Sequence, residues 1–236
     1  MIALATIAFN RPKLIQHQIR LLRKYLEDDY LLMVFDNSSD RQAEKEIWSV
    51  CGKSRTPYVR VVTDKHLHYE ALEVAAIELL ERDPEIIGFL DHDIYPTRST
   101  RIAPLLSPNG FYGIGQRHAP TNQLYLWPGF CFLSTRWLAS KSPLTLNFDG
   151  IRGAAKADDG DCGSMNAPLF ANEDWERLYA APHGYKAIRT PDSVGLQSWG
   201  IETMGDWVHL SNGSGWMAIP EPEERDRIVI EMLEAM

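Results

Sequence analysis

Apolar and polar positions alternate between two periods over the first hundred residues. Ile2 to Phe9 is apolar except for Thr6, a short run that predicts a strand buried on both faces. Asn10 is placed to cap a helix, with Pro12 in the first turn, where a missing N–H is tolerated. Leu14, Ile15, Ile19, Leu22 and Leu26 then recur at helical spacing. Tyr30 to Phe35 predicts a second strand, ended by Asp36-Asn37-Ser38-Ser39-Asp40. A helix over about 41–50, a strand over 58–62, a helix over about 69–82 and a strand over 86–90 follow. This βαβαβαβ order predicts a mostly parallel sheet covered by helices.

After Pro96 the texture changes. Glycine and proline become frequent, the strand candidates shorten to 111–114, 123–126 and 130–134, and aromatic residues gather around Trp127. Residues 147–166 read as a long polar loop holding Asp149, Asp158, Asp159 and Asp161, and long loops in compact domains are often functional. A helix over 172–180, a strand over 206–210 and an amphipathic helix over 220–236 complete the pattern. No repeat or linker divides the chain. The expectation is a single α/β domain: a mostly parallel central sheet with flanking helices over 1–96, and a mixed second half over 97–236.

Composition narrows the function classes. The 236 residues are 44% hydrophobic and 24% charged, the balance of a globular chain. A formal charge of −8 with no lysine or arginine run argues against a nucleic-acid partner. Cys51, Cys131 and Cys162 are scattered and odd in number, which speaks against a disulfide framework or zinc finger and for a reducing compartment. No segment reaches the roughly 18 to 20 apolar residues of a transmembrane helix. The apolar start lacks a basic n-region and is cut short by Asn10-Arg11-Pro12, unlike a signal peptide. Together these predict a cytoplasmic protein.

In open parallel sheets ligands collect at the carboxyl ends of the strands. Here those ends carry Asn10-Arg11, Asp36 and Asp91-His92-Asp93. Asp36 alone reads equally well as a cap on the next turn. Asp91 and Asp93 are harder to explain by capping, which needs only one carboxylate. At i and i+2 in extended chain they point the same way and can address one hard cation. Mg²⁺ takes one or two carboxylates plus substrate phosphates and water, so the pair suits a metal–diphosphate complex.

TIAFNRP, VFDNSSD and GFLDHDIYP, in that order, resemble the nucleotide-binding half of a GT-A-fold glycosyltransferase of the family 2 type. WPGFCFLSTRW, the loop ending in DCGS and WVHLSNGSGW extend the resemblance in shorter pieces. It implies a nucleoside-diphosphate sugar donor lying across the strand ends, a glycan, lipid-linked or small-molecule acceptor, and Mn²⁺ or Mg²⁺. By position, Thr6, Ala8, Asn10 and Arg11 match the loop lining the nucleotide, and Asp36 the acceptor of a hydrogen bond from the base. Asp91 and Asp93 match the DxD motif, with Asp93 the direct metal ligand, Asp91 nearer the ribose or a metal-bound water, and His92 between them in the nucleotide site. His66 and His68 lie where relatives contact the nucleoside, or form a surface pair. Trp127 matches the acceptor-side wall, or belongs to the core. Asp161 matches an aspartate that reaches the active site and would serve as general base for an inverting transfer; Asp158, Asp159, Glu173 and Asp174 are rivals. His209 matches a late metal-ligating histidine, or is satisfied by backbone.

Other chemistries lack their motifs. No GxxxxGK[ST] loop, HExxH helix or GxSxG elbow is present. Two further readings stay open: a sugar-phosphate nucleotidyltransferase, and a catalytically silent nucleotide- or sugar-binding domain.

Overall fold

Four short apolar runs become parallel strands. β1 (Ile2–Ala8), β2 (Tyr30–Asp36), β3 (Tyr58–Arg60) and β4 (Ile86–Asp91) join two antiparallel strands from the second half, β6 (Phe111–Arg117) and β7 (Leu124–Ser134). The sheet order is β3-β2-β1-β4-β7-β6. The computed structural model describes residues 1–63, 66–106, 110–117, 122–142, 145–148, 162–173, 183–187, 200–210 and 222–236.

Both faces of this sheet are covered, as continuous apolar strands require. Ile2, Leu4 and Ala8 of β1 pack with Ile15, Ile19 and Leu22 of α1 (Pro12–Tyr25) and Ile47 of α2 (Arg41–Ser54). The alternate residues Ala3, Ala5 and Ile7 pack with Ala71, Leu72, Ala75 and Leu79 of α3 (His68–Leu80). A short helix α4 (Thr135–Ser140) follows β7. A second sheet, in the order β5-β10-β9-β8, is built from β5 (Ile94–Pro96), β8 (His183–Ala187), β9 (Gly200–Met204) and β10 (Trp207–Leu210). Helix α5 (Pro222–Ala235) closes against α1 and this sheet, with Val229 and Leu233 packed on Leu14, Leu21, Tyr95 and Leu210. None of the described helices is long and apolar enough to cross a membrane.

Two local expectations are corrected. Asn10 does not cap α1, whose first residue is preceded by Arg11 with no side-chain cap. Asn10 sits instead in the left-handed region, at φ 53°. Its Oδ1 accepts from the backbone N–H groups of Ser39 and Asp40, both at 3.0 Å, stitching the end of β1 to the loop after β2. The second correction is that 123–126 and 130–134 are one strand, β7, running through Trp127-Pro128-Gly129. The helix expected beyond Glu173, and Asp149, Asp158, Asp159, Asp161 and Asp174, lie outside the described residues.

Candidate functional site

The chain leaves β1 toward β2 and β3, then returns through α3 to place β4 on the other side of β1. The carboxyl ends of β1 and β4 therefore flank the point where strand order reverses, the usual place for a crevice. Ile7 pairs with Asp91 in register. Just beyond, the imidazole of His92 bonds through Nδ1 to the carbonyl of Ile7 at 2.8 Å. A carbonyl only accepts, so Nδ1 carries the proton, and Nε2 is buried without a hydrogen-bond partner.

The Asp91–Ile94 turn is pinned from several sides. Buried Gln18 on α1 donates through Nε2 to the carbonyls of Asp91 (2.8 Å) and Ile94 (3.0 Å). The Tyr95 hydroxyl donates to the carbonyl of His92 at 3.0 Å, and the Leu210 N–H to that of Asp93 at 2.9 Å. That last bond belongs to the β5–β10 pairing, in which His209 stands opposite Ile94. Residues more than a hundred positions apart are thereby brought together.

Asp93 is 4% exposed, and its Oδ1 has no hydrogen-bond partner. It lies 3.7 Å from Nε2 of His209, while Nδ1 of His209 meets Glu202 Oε2 at 2.5 Å. Burial alone would lower the His209 pKa; the Asp93 and Glu202 carboxylates outweigh it and hold the value above the ordinary one. The Trp127 indole lies against the same imidazole, with ring centroids 5.0 Å apart. Beside them, Asp91 Oδ1 is 3.5 Å from His68 Nε2 at the start of α3. Enclosure by the surrounding chain raises the Asp91 pKa, His68 opposes the rise, and Asp93 adds to it.

Antiparallel β7 carries Trp127-Pro128-Gly129 past the end of β4, since Phe130 pairs with Leu90. Gly129 is a point of close approach. A Cβ there would lie 2.2 Å from Trp127 Cζ2 and 2.6 Å from Asp91 Oδ2. Gly163, at φ +87°, packs in turn against Pro128, where a Cβ would meet Cγ at 2.7 Å. Trp127 is thus partly buried against the core while its ring also faces His209.

The remaining expected residues are placed less openly. Asp36 is fully buried, with Oδ1 accepting from the Ser38 N–H and Oδ2 from the Tyr58 hydroxyl, both at 2.9 Å. Arg60 adds bonds to the carbonyls of Asp36 (2.6 Å) and Ser38 (2.7 Å), so the carboxylate and its loop are braced together. Asp36→Ala is accordingly expected to lower stability by about 1–3 kcal/mol, the cost of orphaned buried donors. Denaturant unfolding measures it, and an unchanged midpoint would show that the two bonds contribute nothing.

Thr6 and Ala8 are enclosed in β1. Arg11 pairs with Asp226 of α5 at 2.5 Å. His66, in the left-handed region at φ 52°, bonds through Nδ1 to the Asn37 carbonyl at 3.1 Å, beside the strand ends. Among the described residues, no three histidine, cysteine or acidic side chains converge as a metal cluster. Gln18, Glu202 and Tyr58 have roles that sequence reasoning missed. Gln18 alone left a signal, as a polar residue in the buried row Leu14-Gln18-Leu22.

No family model matches the chain, and no curated protein matches it by sequence. Similar solved structures include TarS of S. aureus, at 15% identity and a TM-score of 0.45, covering 67% of this chain and 32% of that one. A mannosyltransferase of Pyrobaculum calidifontis, solved with GDP-Man and Mn²⁺, shares 13% identity at a TM-score of 0.48, covering 84% of this chain and 59% of that one. The galactosyltransferase LgtC, with donor and acceptor sugar analogs, shares 13% identity at 0.39, covering 71% and 70%. The chain thus spans about a third to three fifths of the length of the first two. With every TM-score below 0.5, these likenesses say nothing of what this chain binds or transfers. Its own mostly parallel central sheet, with Asp36 and Asp91 at the strand ends, is what the sequence pattern predicted. The fold is α/β, a mostly parallel central sheet with flanking helices and a second, smaller sheet.

Proposed function

We propose that this chain is a glycosyltransferase that moves a sugar from a nucleoside-diphosphate sugar to an acceptor hydroxyl with the help of Mn²⁺ or Mg²⁺. One observation carries the reading: at the switch point, buried Asp93 Oδ1 lacks a partner and faces His209 Nε2 across 3.7 Å, with Asp91 alongside. That gap is too wide for a hydrogen bond. It leaves a carboxylate oxygen and an imidazole nitrogen facing one another, a donor pair that a divalent cation would accept. Asp93 and His209 would hold the ion, and so small a protein set suits a metal completed by substrate phosphates. When bound, such a cation neutralises charge developing on a leaving nucleoside diphosphate.

The 1–96 half then holds the donor, and the 97–236 half faces a glycan, lipid-linked or small-molecule acceptor. Asp91 and the nearby His68 and His92 line the donor side, and Trp127 offers an aromatic wall. Asp161 is the proposed general base for an inverting transfer. Support comes from its described neighbours: Gly163 rests on Pro128, and Asn166 Oδ1 accepts from the Asn147 N–H at 2.7 Å, which ties the two flanks of this segment to β7. Of its rivals, Glu173 is already engaged by the Trp137 indole at 3.1 Å and Lys141 at 2.5 Å, under α4. That makes Glu173 a structural partner and leaves Asp158, Asp159 and Asp174 as the rivals of Asp161.

A panel of nucleoside-diphosphate sugars, incubated with protein and Mn²⁺, tests the reading. Release of a nucleoside diphosphate is expected from at least one. Turnover only of a nucleoside triphosphate with a sugar phosphate would favour a nucleotidyltransferase, and no turnover of either would favour a silent binding domain.

A further inference from the structure

Glu202 and His209 stand directly opposite each other across the β9–β10 ladder, so their side chains leave the same face of the sheet. The imidazole is held on three sides: Glu202 at Nδ1, Asp93 beyond Nε2, and the Trp127 ring beside it, tilted by 54°. Nδ1 meets a carboxylate oxygen at 2.5 Å, whereas Nε2 is too far from Asp93 to donate a hydrogen bond to it.

We infer that Glu202 is a positioning residue: by accepting the Nδ1–H of His209 it leaves Nε2 of the neutral ring a bare electron-pair donor aimed at Asp93. The inference rests on the cation site proposed above and assigns the group that prepares it. Which ring nitrogen of a histidine binds a metal is set by the bond the other one makes. Carboxylate partners of this kind fix both tautomer and orientation, and losing one typically weakens metal binding about 10–100-fold. Neither Asp91 nor Asp93 can do this work, because neither bonds to Nδ1.

The test is ¹⁵N NMR of the histidine rings in the full-length, metal-free protein at alkaline pH, with His209 assigned by His209→Gln. Manganese titrations in the presence of nucleoside diphosphate run beside it. The expected wild-type signal is the Nδ1–H tautomer. Glu202→Ala should shift His209 toward Nε2–H and weaken Mn²⁺ binding by about 10–100-fold. Glu202→Gln, whose amide oxygen can still accept the Nδ1–H hydrogen bond, should restore the tautomer and most of the affinity. An Nε2–H tautomer in the wild type, or a Glu202→Ala protein with unchanged tautomer and affinity, overturns the assignment. If the tautomer follows Glu202 but the wild type binds no Mn²⁺, the positioning contact stands and the cation site fails.

Discussion

Replacing Asp93 with alanine is expected to abolish sugar transfer while the protein stays folded. The two halves of that result have separate causes. Oδ1 of Asp93 is buried with no hydrogen bond, so in the absence of a cation it stabilises little. His209 keeps its bond to Glu202, and the backbone bond from Leu210 to the Asp93 carbonyl does not involve the side chain. Unfolding should therefore shift little. Transfer should nonetheless fall by about 10³-fold or more, because a metal ion supplies several kcal/mol of charge stabilisation and each tenfold is about 1.4 kcal/mol. Chelation of the wild-type protein should give the same loss, reversed by added Mn²⁺. Near-normal transfer by Asp93→Ala, or by wild type in chelator, would remove the cation from the mechanism.

The first half of this molecule was legible because β1, β2 and β4 are short apolar runs ended by polar residues. Buried parallel strands must be apolar along their whole length, so they begin and end where the composition changes, and Asp36 and Asp91 fall at those ends. What was not legible is partnership across the chain. The pairing of β5 with β10 joins Ile94 to His209, and only this register sets Asp93 beside the imidazole; nothing local in either segment encodes it. Asp36 shows the same limit. Its position after β2 suited both a cap and a ligand group, whereas the Tyr58 hydroxyl that occupies Oδ2 comes from the neighbouring strand.

β7 was misread for a different reason. Pro128 and Gly129 ordinarily break a strand, yet here they lie where β6 and β7 change register. Gly113 pairs with Cys131 and Gly115 with Leu126, so residues 127–130 stand opposite Ile114 alone. A bulge of this kind asks no ladder hydrogen bond of Pro128 and bends the strand. The irregularity that hid β7 in the sequence is the one that carries Trp127 and Gly129 over Asp91 and His209.

The bulge gives the second large expected effect, from adding a single methyl group. In Gly129→Ala the new Cβ would fall 2.2 and 2.4 Å from Trp127 Cζ2 and Cε2 and 2.6 Å from Asp91 Oδ2, well inside van der Waals contact. An indole is a rigid plate, so it cannot yield as the tip of a lysine would. Either the ring leaves His209, or β7 shifts and takes Asp91 with it. Overpacking of this kind costs about 1–3 kcal/mol of stability. Displacing groups around a reacting centre by about 1 Å costs on the order of 10² in rate. Both losses are expected together, by denaturant unfolding and by transfer kinetics with saturating donor. Trp127→Ala in the Gly129→Ala background removes the atoms that collide, so the double variant should regain part of the lost stability. The coupling between the two positions should then exceed the few tenths of a kcal/mol found for independent sites. Simple additivity, or a Gly129→Ala protein as stable and active as wild type, would show that the indole has room to swing aside. Trp127 would then not be fixed against His209.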